Sequence, residues 1–236
     1  MLHLLPNTLG HPSADIFSPL VIKAVESLKG VIAESHRGGR LFLSLTGCPE
    51  PQKVPLALIP KRQTEKELDF LIEPLLKGED WGLVSDAGLP CLADPGRMIV
   101  THARKHGIAV KAYPGPCSIT WALMLSGFPA QKFVFHGYLS RNPLQREKEL
   151  ISFEKEILRT SCTQVFIEAP YRNLHLLKTC LKVLSPKMSL SISVSLSCPD
   201  EDVRTDLVSV WQKEKESTLI DFLQKRPAVF ILGTVS

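Results

Sequence analysis

The sequence predicts an α/β protein with an open sheet, and three observations carry that expectation. Short apolar runs bounded by turn residues alternate along the chain with stretches whose apolar residues recur at helical spacing. The strand-like run Trp81-Gly82-Leu83-Val84 leads into the loop Ser85 to Gly96, and a helical stretch from Arg97 to His106 leads out of it. That loop holds two glycines, two prolines and two aspartates, more special backbone than a plain connection between strand and helix needs. Finally, 236 residues at 44% hydrophobic and 22% charged have the composition of an ordinary globular protein, with length for one large or two small domains.

The elements follow in order. Leu2 to Leu5 reads as a buried first strand, closed by the turn Pro6-Asn7-Thr8-Leu9-Gly10-His11. Pro19 to Leu28 places Leu20, Val21, Ala24, Val25 and Leu28 at helical spacing and stops at Gly30. Val31-Ile32-Ala33 is a second strand that ends in Glu34-Ser35-His36-Arg37. Lys53 to Glu67, rich in proline and then in charge, reads as an exposed connection into a helix from Glu65 to Leu76. After the loop, Asp94 is expected to cap the next helix, with Pro95 at its first position. Ile108 to Tyr113 is a strand, and Pro114-Gly115-Pro116-Cys117-Ser118 is a rigid bend. The domain boundary belongs at this bend, giving domains 1–114 and 115–236. Ile119 to Leu125 is an apolar helix that ends at Gly127. Leu174 to Leu184 is an amphipathic helix, and Ser189 to Leu196 alternates Ser with apolar residues as a strand with one polar face would. Arg204 to Trp211 reads as another strand and Ala228 to Leu232 as a last, buried one.

A net charge of +4, from 28 basic and 24 acidic side chains, permits nucleic acid as a partner without requiring it. The six cysteines stand far apart, with no C-x-x-C and no His–Cys cluster at metal-ligand spacing, so reduced structural thiols and no metal are expected. The first residues lack a basic flank and a long apolar run, and no stretch approaches a membrane span. A cytoplasmic protein that does not enter the membrane is the expectation.

Loops that leave the C-terminal ends of strands in an open α/β sheet are where small ligands dock. Asp86 could accept hydrogen bonds from an ammonium group or from ribose hydroxyls, and Ala87 and Gly88 would let a flat ring or a carboxylate approach bare backbone N–H groups. The alternative is a capped turn without a ligand. Glu34 and His36 are candidate acid–base groups and Arg37 a candidate anion contact; alternatively they cap the following helix and face solvent.

Four pieces, in order and over the whole length, resemble the tetrapyrrole methylase family of S-adenosylmethionine-dependent methyltransferases. They are the proline/glycine turn after the first strand, Ser-Asp-Ala-Gly-x-Pro…Asp-Pro-Gly at 85–96, Pro-Gly-Pro-Cys-Ser at 114–118 and Ser-Gly-Phe-Pro at 126–129. Within the family the chain is most similar to the branch that methylates a cytidine ribose 2′-oxygen in small-subunit ribosomal RNA. Phe135-His136-Gly137-Tyr138-Leu139, the charged stretch Gln145 to Leu158, and Phe166-Ile167-Glu168-Ala169-Pro170-Tyr171-Arg172 resemble that branch in the second half. Three substrate-side segments depart from it. The branch has Glu-Asp-Thr-Arg where this chain has Glu34-Ser35-His36-Arg37, its His/Asn/Glu-rich segment is not recognisable among Ala57 to Lys66, and its Arg-Glu-Leu turn is replaced by Ser195-Leu196-Ser197-Cys198-Pro199.

The resemblance implies two α/β domains with the cofactor, S-adenosylmethionine, in the cleft between them. It implies cofactor contacts at Leu9, at Asp86, Ala87, Gly88, Leu89 and Pro90, at Ser118 and Ile119, at Ile167 and Glu168, at Leu196, and at Pro227 and Ala228. Ile119 and Ala228 would serve equally as ordinary core. Glu34 and His36 are then the expected catalytic residues, Arg37 and Arg172 the expected substrate contacts, and Arg141, Arg146 and Lys148 add basic character toward RNA. The resemblance also implies a homodimer. The alternatives are a methyltransferase for a tetrapyrrole-like small molecule or a protein residue, or a cofactor-binding protein without activity; Asp86 and the intact loop argue against the last.

Overall fold

Two sheets organise the chain, which divides into the units Met1–Cys117 and Ser118–Ser236; the computed structural model describes residues 1–11, 13–223 and 225–234. In the first unit, β1 (Leu2–Leu4), β2 (Gly30–Ala33), β3 (Leu56–Leu58), β4 (Trp81–Val84) and β5 (Val110–Ala112) pair in the order β3-β2-β4-β1-β5, every pair parallel. Parallel strands joined by helices are covered on both faces, and β2 and β4 are accordingly apolar and buried along their whole length. Val31 and Ala33 face a cluster with Val21 and Val25 of α1 (Pro19–Glu26) and Phe42 and Leu43 of α2 (His36–Leu45). Ile32 faces the opposite cluster, with Leu71 and Ile72 of α3 (Glu65–Leu76) and Ile99 and Ala103 of α4 (Arg97–Lys105). Because all five strands run the same way, their C-terminal ends share one edge, and the segments after β1, β2, β3, β4 and β5 emerge there together.

The second unit carries a mixed sheet of β6 (Phe133–Tyr138), β7 (Thr163–Glu168), β8 (Ser189–Val194), β9 (Asp202–Leu207) and β10 (Ala228–Gly233), ordered β6-β7-β10-β8-β9. β6 and β7 are parallel, and β10 runs antiparallel between β7 and β8. One face packs Phe166, Leu190, Ile192 and Phe230 against α6 (Pro143–Thr160) and α7 (Asn173–Val183), and Trp211 and Phe222 of α8 (Val208–Trp211) and α9 (Glu216–Leu223) close that core. The other face meets α5 (Ser118–Ser126). Among the described residues no helix is long and apolar enough to cross a membrane, and no disulfide joins the cysteines.

Several elements differ from the expectation, each for a physical reason. Gly30 does not end α1 but opens β2; a Cβ there would lie 2.5 Å from the Trp81 ring, so the glycine serves a close packing contact. The exposed connection of 53–67 contains β3, a three-residue edge strand that exists through its pairing with β2. The serine face of β8 is polar but buried: Ser189, Ser191 and Ser193 are small enough for α5 to pack over them, and Thr205 donates to Ser191 Oγ at 2.8 Å. The strand expected over 204–211 turns into α8 after Leu207. A strand would send Val208 and Trp211 to opposite faces, whereas a helical turn buries both, and Trp211 Nε1 donates to the Leu190 carbonyl at 3.0 Å.

Candidate functional site

At the strand-end edge of the first unit, the segments after β1 and β4 are joined through their backbones. Asn7 N–H donates to the Gly88 carbonyl at 2.8 Å, and Gly88 N–H donates to the Thr8 carbonyl at 3.0 Å. Asn7 Nδ2 adds a bond to the Ser85 carbonyl at 2.9 Å. Gly88 needs its glycine: its φ is +70°, and a Cβ would lie 3.0 Å from Leu9 Cδ2 and 3.3 Å from the Pro116 carbonyl. Further along, Cys91 and Ala93 both adopt left-handed backbone, φ +72° and +60°. The Asp94 carboxylate holds this turn by accepting the N–H groups of Cys91 and Gly96, each at 2.6 Å. Asp94 is therefore a clamp within the loop and not the helix cap; Gly96 precedes α4, without a side-chain cap.

The end of β2 comes up beside this loop. Ser35 caps α2, its Oγ accepting the Gly38 N–H at 2.9 Å, and the same hydroxyl donates to Asp86 Oδ1 at 2.7 Å. Glu34 Oε2 accepts the Asp86 N–H at 3.1 Å. His36 and Arg37 occupy the exposed first turn of α2. The structure thus brings Glu34 to Asp86 and places His36 and Arg37 on the adjoining turn. Partial desolvation raises the Glu34 pKa above the ordinary carboxylate value; the charges of Asp86 and Asp94 add to this, and the Asp86 N–H opposes it. Burial likewise raises Asp94, against its two N–H bonds. Cys91 is pushed up to about 12 by burial and by Asp94, so it is a neutral thiol at physiological pH. The expected bare N–H at Gly88 is corrected, since that donor is engaged by Thr8 and the Asp86 N–H by Glu34.

In the second unit, three separated stretches meet at one edge of the sheet. Ala228 pairs with Glu168 on one side and Val194 on the other, and Ser195 N–H donates to the Pro227 carbonyl at 3.0 Å. Ile167, Glu168, Leu196, Pro227 and Ala228 are brought together by this register. The C-terminal end of α5 lies against Thr205 and the neighbouring Phe128 packs on Gly233, while Ser118 and Ile119 open the same helix. Arg172 does not offer a free guanidinium to substrate: its Nε bonds Glu168 Oε1 at 3.0 Å, its Nη2 bonds the same oxygen, and the Glu168 side chain is buried while that of Arg172 is partly exposed. Glu168 Oε2 is buried without a partner among the described residues. Arg146 is also buried, whereas Arg141 and Lys148 are exposed.

The sequence pattern of the family described as Tetrapyrrole (Corrin/Porphyrin) Methylases matches residues 21–210. The chain belongs to the tetrapyrrole methylase family. Among curated relatives, it is 33% identical to a "Ribosomal RNA small subunit methyltransferase I" of Thermotoga maritima, over 71% of this chain and 73% of that one. It is 34% identical to the protein of the same name from Vibrio cholerae, over 59% of this chain but only 47% of that longer relative. Solved tetrapyrrole methylases share the fold: a uroporphyrin-III C-methyltransferase of Thermus thermophilus superposes with a TM-score of 0.59 at 19% identity, covering 98% of this chain and 93% of that one. A cobalt-precorrin-4 methyltransferase of cobalamin biosynthesis gives 0.64 at 13% identity with the same coverage.

Some residues that shape this tetrapyrrole methylase site escaped sequence reasoning. Gly38 is the chief one: a Cβ there would lie 2.1 Å from Asp86 Oδ1, so only glycine lets the carboxylate lie against the first turn of α2. A Gly38-Gly39 pair inside a helix, where each glycine costs about 1 kcal/mol relative to alanine, was the readable signal. Asn7 and Gln63, which donates to the Pro95 carbonyl at 3.0 Å, tie the loops together and carried no such signal.

Proposed function

We propose that this chain is an S-adenosylmethionine-dependent methyltransferase acting on RNA, with the ribose 2′-hydroxyl of a cytidine in small-subunit ribosomal RNA as acceptor. The observation that carries the reading is the exposed Asp86, whose carboxylate accepts from Ser35 and whose backbone N–H donates to Glu34, on a loop fastened to the turn after β1. Such a cradle suits the cofactor. Asp86 accepts from an ammonium or ribose hydroxyl, Gly88 keeps the floor free of a side chain, and Leu9 supplies apolar contact. Ala87, Leu89 and Pro90 complete this contact set. In the second unit, Leu196 and Ala228 are buried apolar groups beside Pro227 and Ile167, and the unpartnered Glu168 Oε2 is an acceptor; Ser118 and Ile119 join this set. When bound, the cofactor supplies a methyl group activated by its sulfonium.

The chain's own residues do the rest. A ribose hydroxyl must lose a proton as it attacks, and Glu34, made more basic than an ordinary carboxylate by its partial desolvation, takes it. His36, on the next turn, is the second acid–base group. Arg37 holds a backbone phosphate by its planar fork, with Arg141 and Lys148 as further basic contacts. Curated relatives named for ribosomal RNA methylation support this substrate class. The same reading makes the protein cytoplasmic and homodimeric; Phe133, Val134 and Tyr138, exposed on the edge strand β6, support a self-association surface. Light scattering that shows only monomer at tens of micromolar would remove the dimer.

Calorimetric titration of S-adenosylmethionine tests the site. The expected result is binding by the parent chain and a sharply weakened or absent signal for Asp86→Ala, with unchanged thermal unfolding. Equal binding by both would overturn the assignment of this loop. RNA and tetrapyrrole substrates separate on salt, because phosphate contacts make RNA affinity fall steeply with ionic strength and apolar contact does not.

A further inference from the structure

The helices α3 and α4 pack side by side, and at the C-terminal end of α4 they bring together residues the sequence spacing did not assign. His102 lies in the last turn of α4, His106 follows one turn later as the residue that closes the helix, and Asp69 lies on α3. One nitrogen from each imidazole and one carboxylate oxygen all fall within 4.8 Å of one another. We propose that Asp69, His102 and His106 form a binding site for a divalent transition-metal ion of the zinc type.

Four features support the site. The His102 ring is 7% exposed and is oriented by its Nε2 contact with Asp69 Oδ1 at 2.7 Å. The two imidazoles sit side by side, ring centroids 4.5 Å apart. His106 Nδ1 lies 3.0 Å from the His102 carbonyl; as a donor there it fixes the ring's tautomer and leaves Nε2 with a free lone pair, the arrangement that outer hydrogen bonds impose on metal-ligating histidines. The partial negative charge at a helix C-terminus favours a cation at this end. Two imidazoles and one carboxylate suit zinc, nickel, cobalt or copper and not magnesium or calcium, and three protein ligands leave a position open to water. An ion here would staple α3 to α4, and α4 leaves directly from the loop that carries Asp86.

The test uses the full, untagged chain, stripped with a chelator and titrated with zinc against a chromophoric competitor. The expected result is one equivalent bound with a Kd on the order of micromolar or below, unaffected by excess magnesium. Asp69 and His106 are exposed, so Asp69→Asn and His106→Ala should fold normally, and each should weaken binding by about tenfold or more. Cobalt in place of zinc should show visible bands without thiolate charge transfer. No saturable binding, full binding by both variants, or a thiolate signature from the cysteines would overturn the proposal.

Discussion

Replacing Gly38 by alanine should damage ligand binding while leaving the fold untouched. Gly38 is in the first turn of α2, with its N–H on Ser35 Oγ. A Cβ there would fall 2.1 Å from Asp86 Oδ1 and 3.1 Å from Asp86 Cγ and Ser35 Oγ. Ordinary contact distances require the carboxylate to retreat by about 1 Å or more. Only the end of a side chain has to move, so the fold need not strain. Losing the exposed Ser35–Asp86 bond costs about 1–2 kcal/mol, and alanine returns about 1 kcal/mol of helix propensity. The stability of Gly38→Ala should therefore lie within about 1 kcal/mol of the parent. Binding has no such offset. Displacing a carboxylate that makes one charge-assisted hydrogen bond to the cofactor removes about 1.5–3 kcal/mol, or roughly 10- to 100-fold in affinity. Gly39→Ala is the control. Its Cβ would meet Leu56 Cδ1 at 2.6 Å and Ala33 Cβ at 2.8 Å, the first partly buried and the second in the core. Overpacking there should cost about 1–3 kcal/mol of stability and little affinity. Calorimetric titration with S-adenosylmethionine and thermal unfolding on the same samples separate the two. Combining Gly38→Ala with Asp86→Ala should add no further loss, since both act through one carboxylate. Full affinity in Gly38→Ala would refute the reasoning.

The acid–base, ion-pair and phosphate assignments are tested separately. Glu34→Gln should lower turnover by about 10²-fold without changing cofactor affinity, and parent activity should fall with acid through a pKa above the ordinary carboxylate value. The raised pKa of Glu34 means its stabilising contribution is complete below the unfolded-state value and is lost as pH rises through the folded-state value. Urea unfolding should accordingly find Glu34→Gln slightly more stable than the parent at neutral pH and equal to it in acid; the opposite order would contradict the assigned desolvation. Arg172→Ala leaves the buried Glu168 uncompensated and should cost about 3–5 kcal/mol in the same assay, part of it recovered by adding Glu168→Gln; a loss below about 1 kcal/mol would mean the pair is not coupled. Arg37→Ala should raise the apparent KM for RNA and flatten its salt dependence by about one unit of slope, with cofactor binding intact.

Local signals account for the elements that the sequence made legible. The helix expected from Glu65 to Leu76 is α3, and the structure shows that Thr64 and Glu67 close its start as a capping box. The loop after β4 stood out because its turn chemistry exceeds what a connection needs, and Asp94 does hold left-handed residues there, although as a clamp and not as a cap. What could not be read was fixed by distant partners. β3 has three residues between prolines and is defined by its neighbour β2. The serines of β8 show their period, but nothing in that period says that α5 covers them. Arg172 looked like a free basic residue, and its engagement with Glu168 depends on how the turn after β7 closes. In the site, residue types near Glu34 and Asp86 suggested chemistry, whereas the shared Ser35 hydroxyl and the absent Gly38 side chain appear only when two strand ends lie side by side.

Transfer of a labelled methyl group tests the central claim most directly. Incubating the full chain with methyl-tritiated S-adenosylmethionine and small ribosomal subunits should place label in the ribosomal RNA and, after digestion to nucleosides, in 2′-O-methylcytidine. Because a methylated 2′-oxygen cannot attack the neighbouring phosphate, the labelled linkage should also resist alkaline cleavage. Asp86→Ala should transfer no label. Label recovered in protein, in a tetrapyrrole fraction or on a nucleobase, or no transfer by a chain that binds the cofactor, would contradict the account.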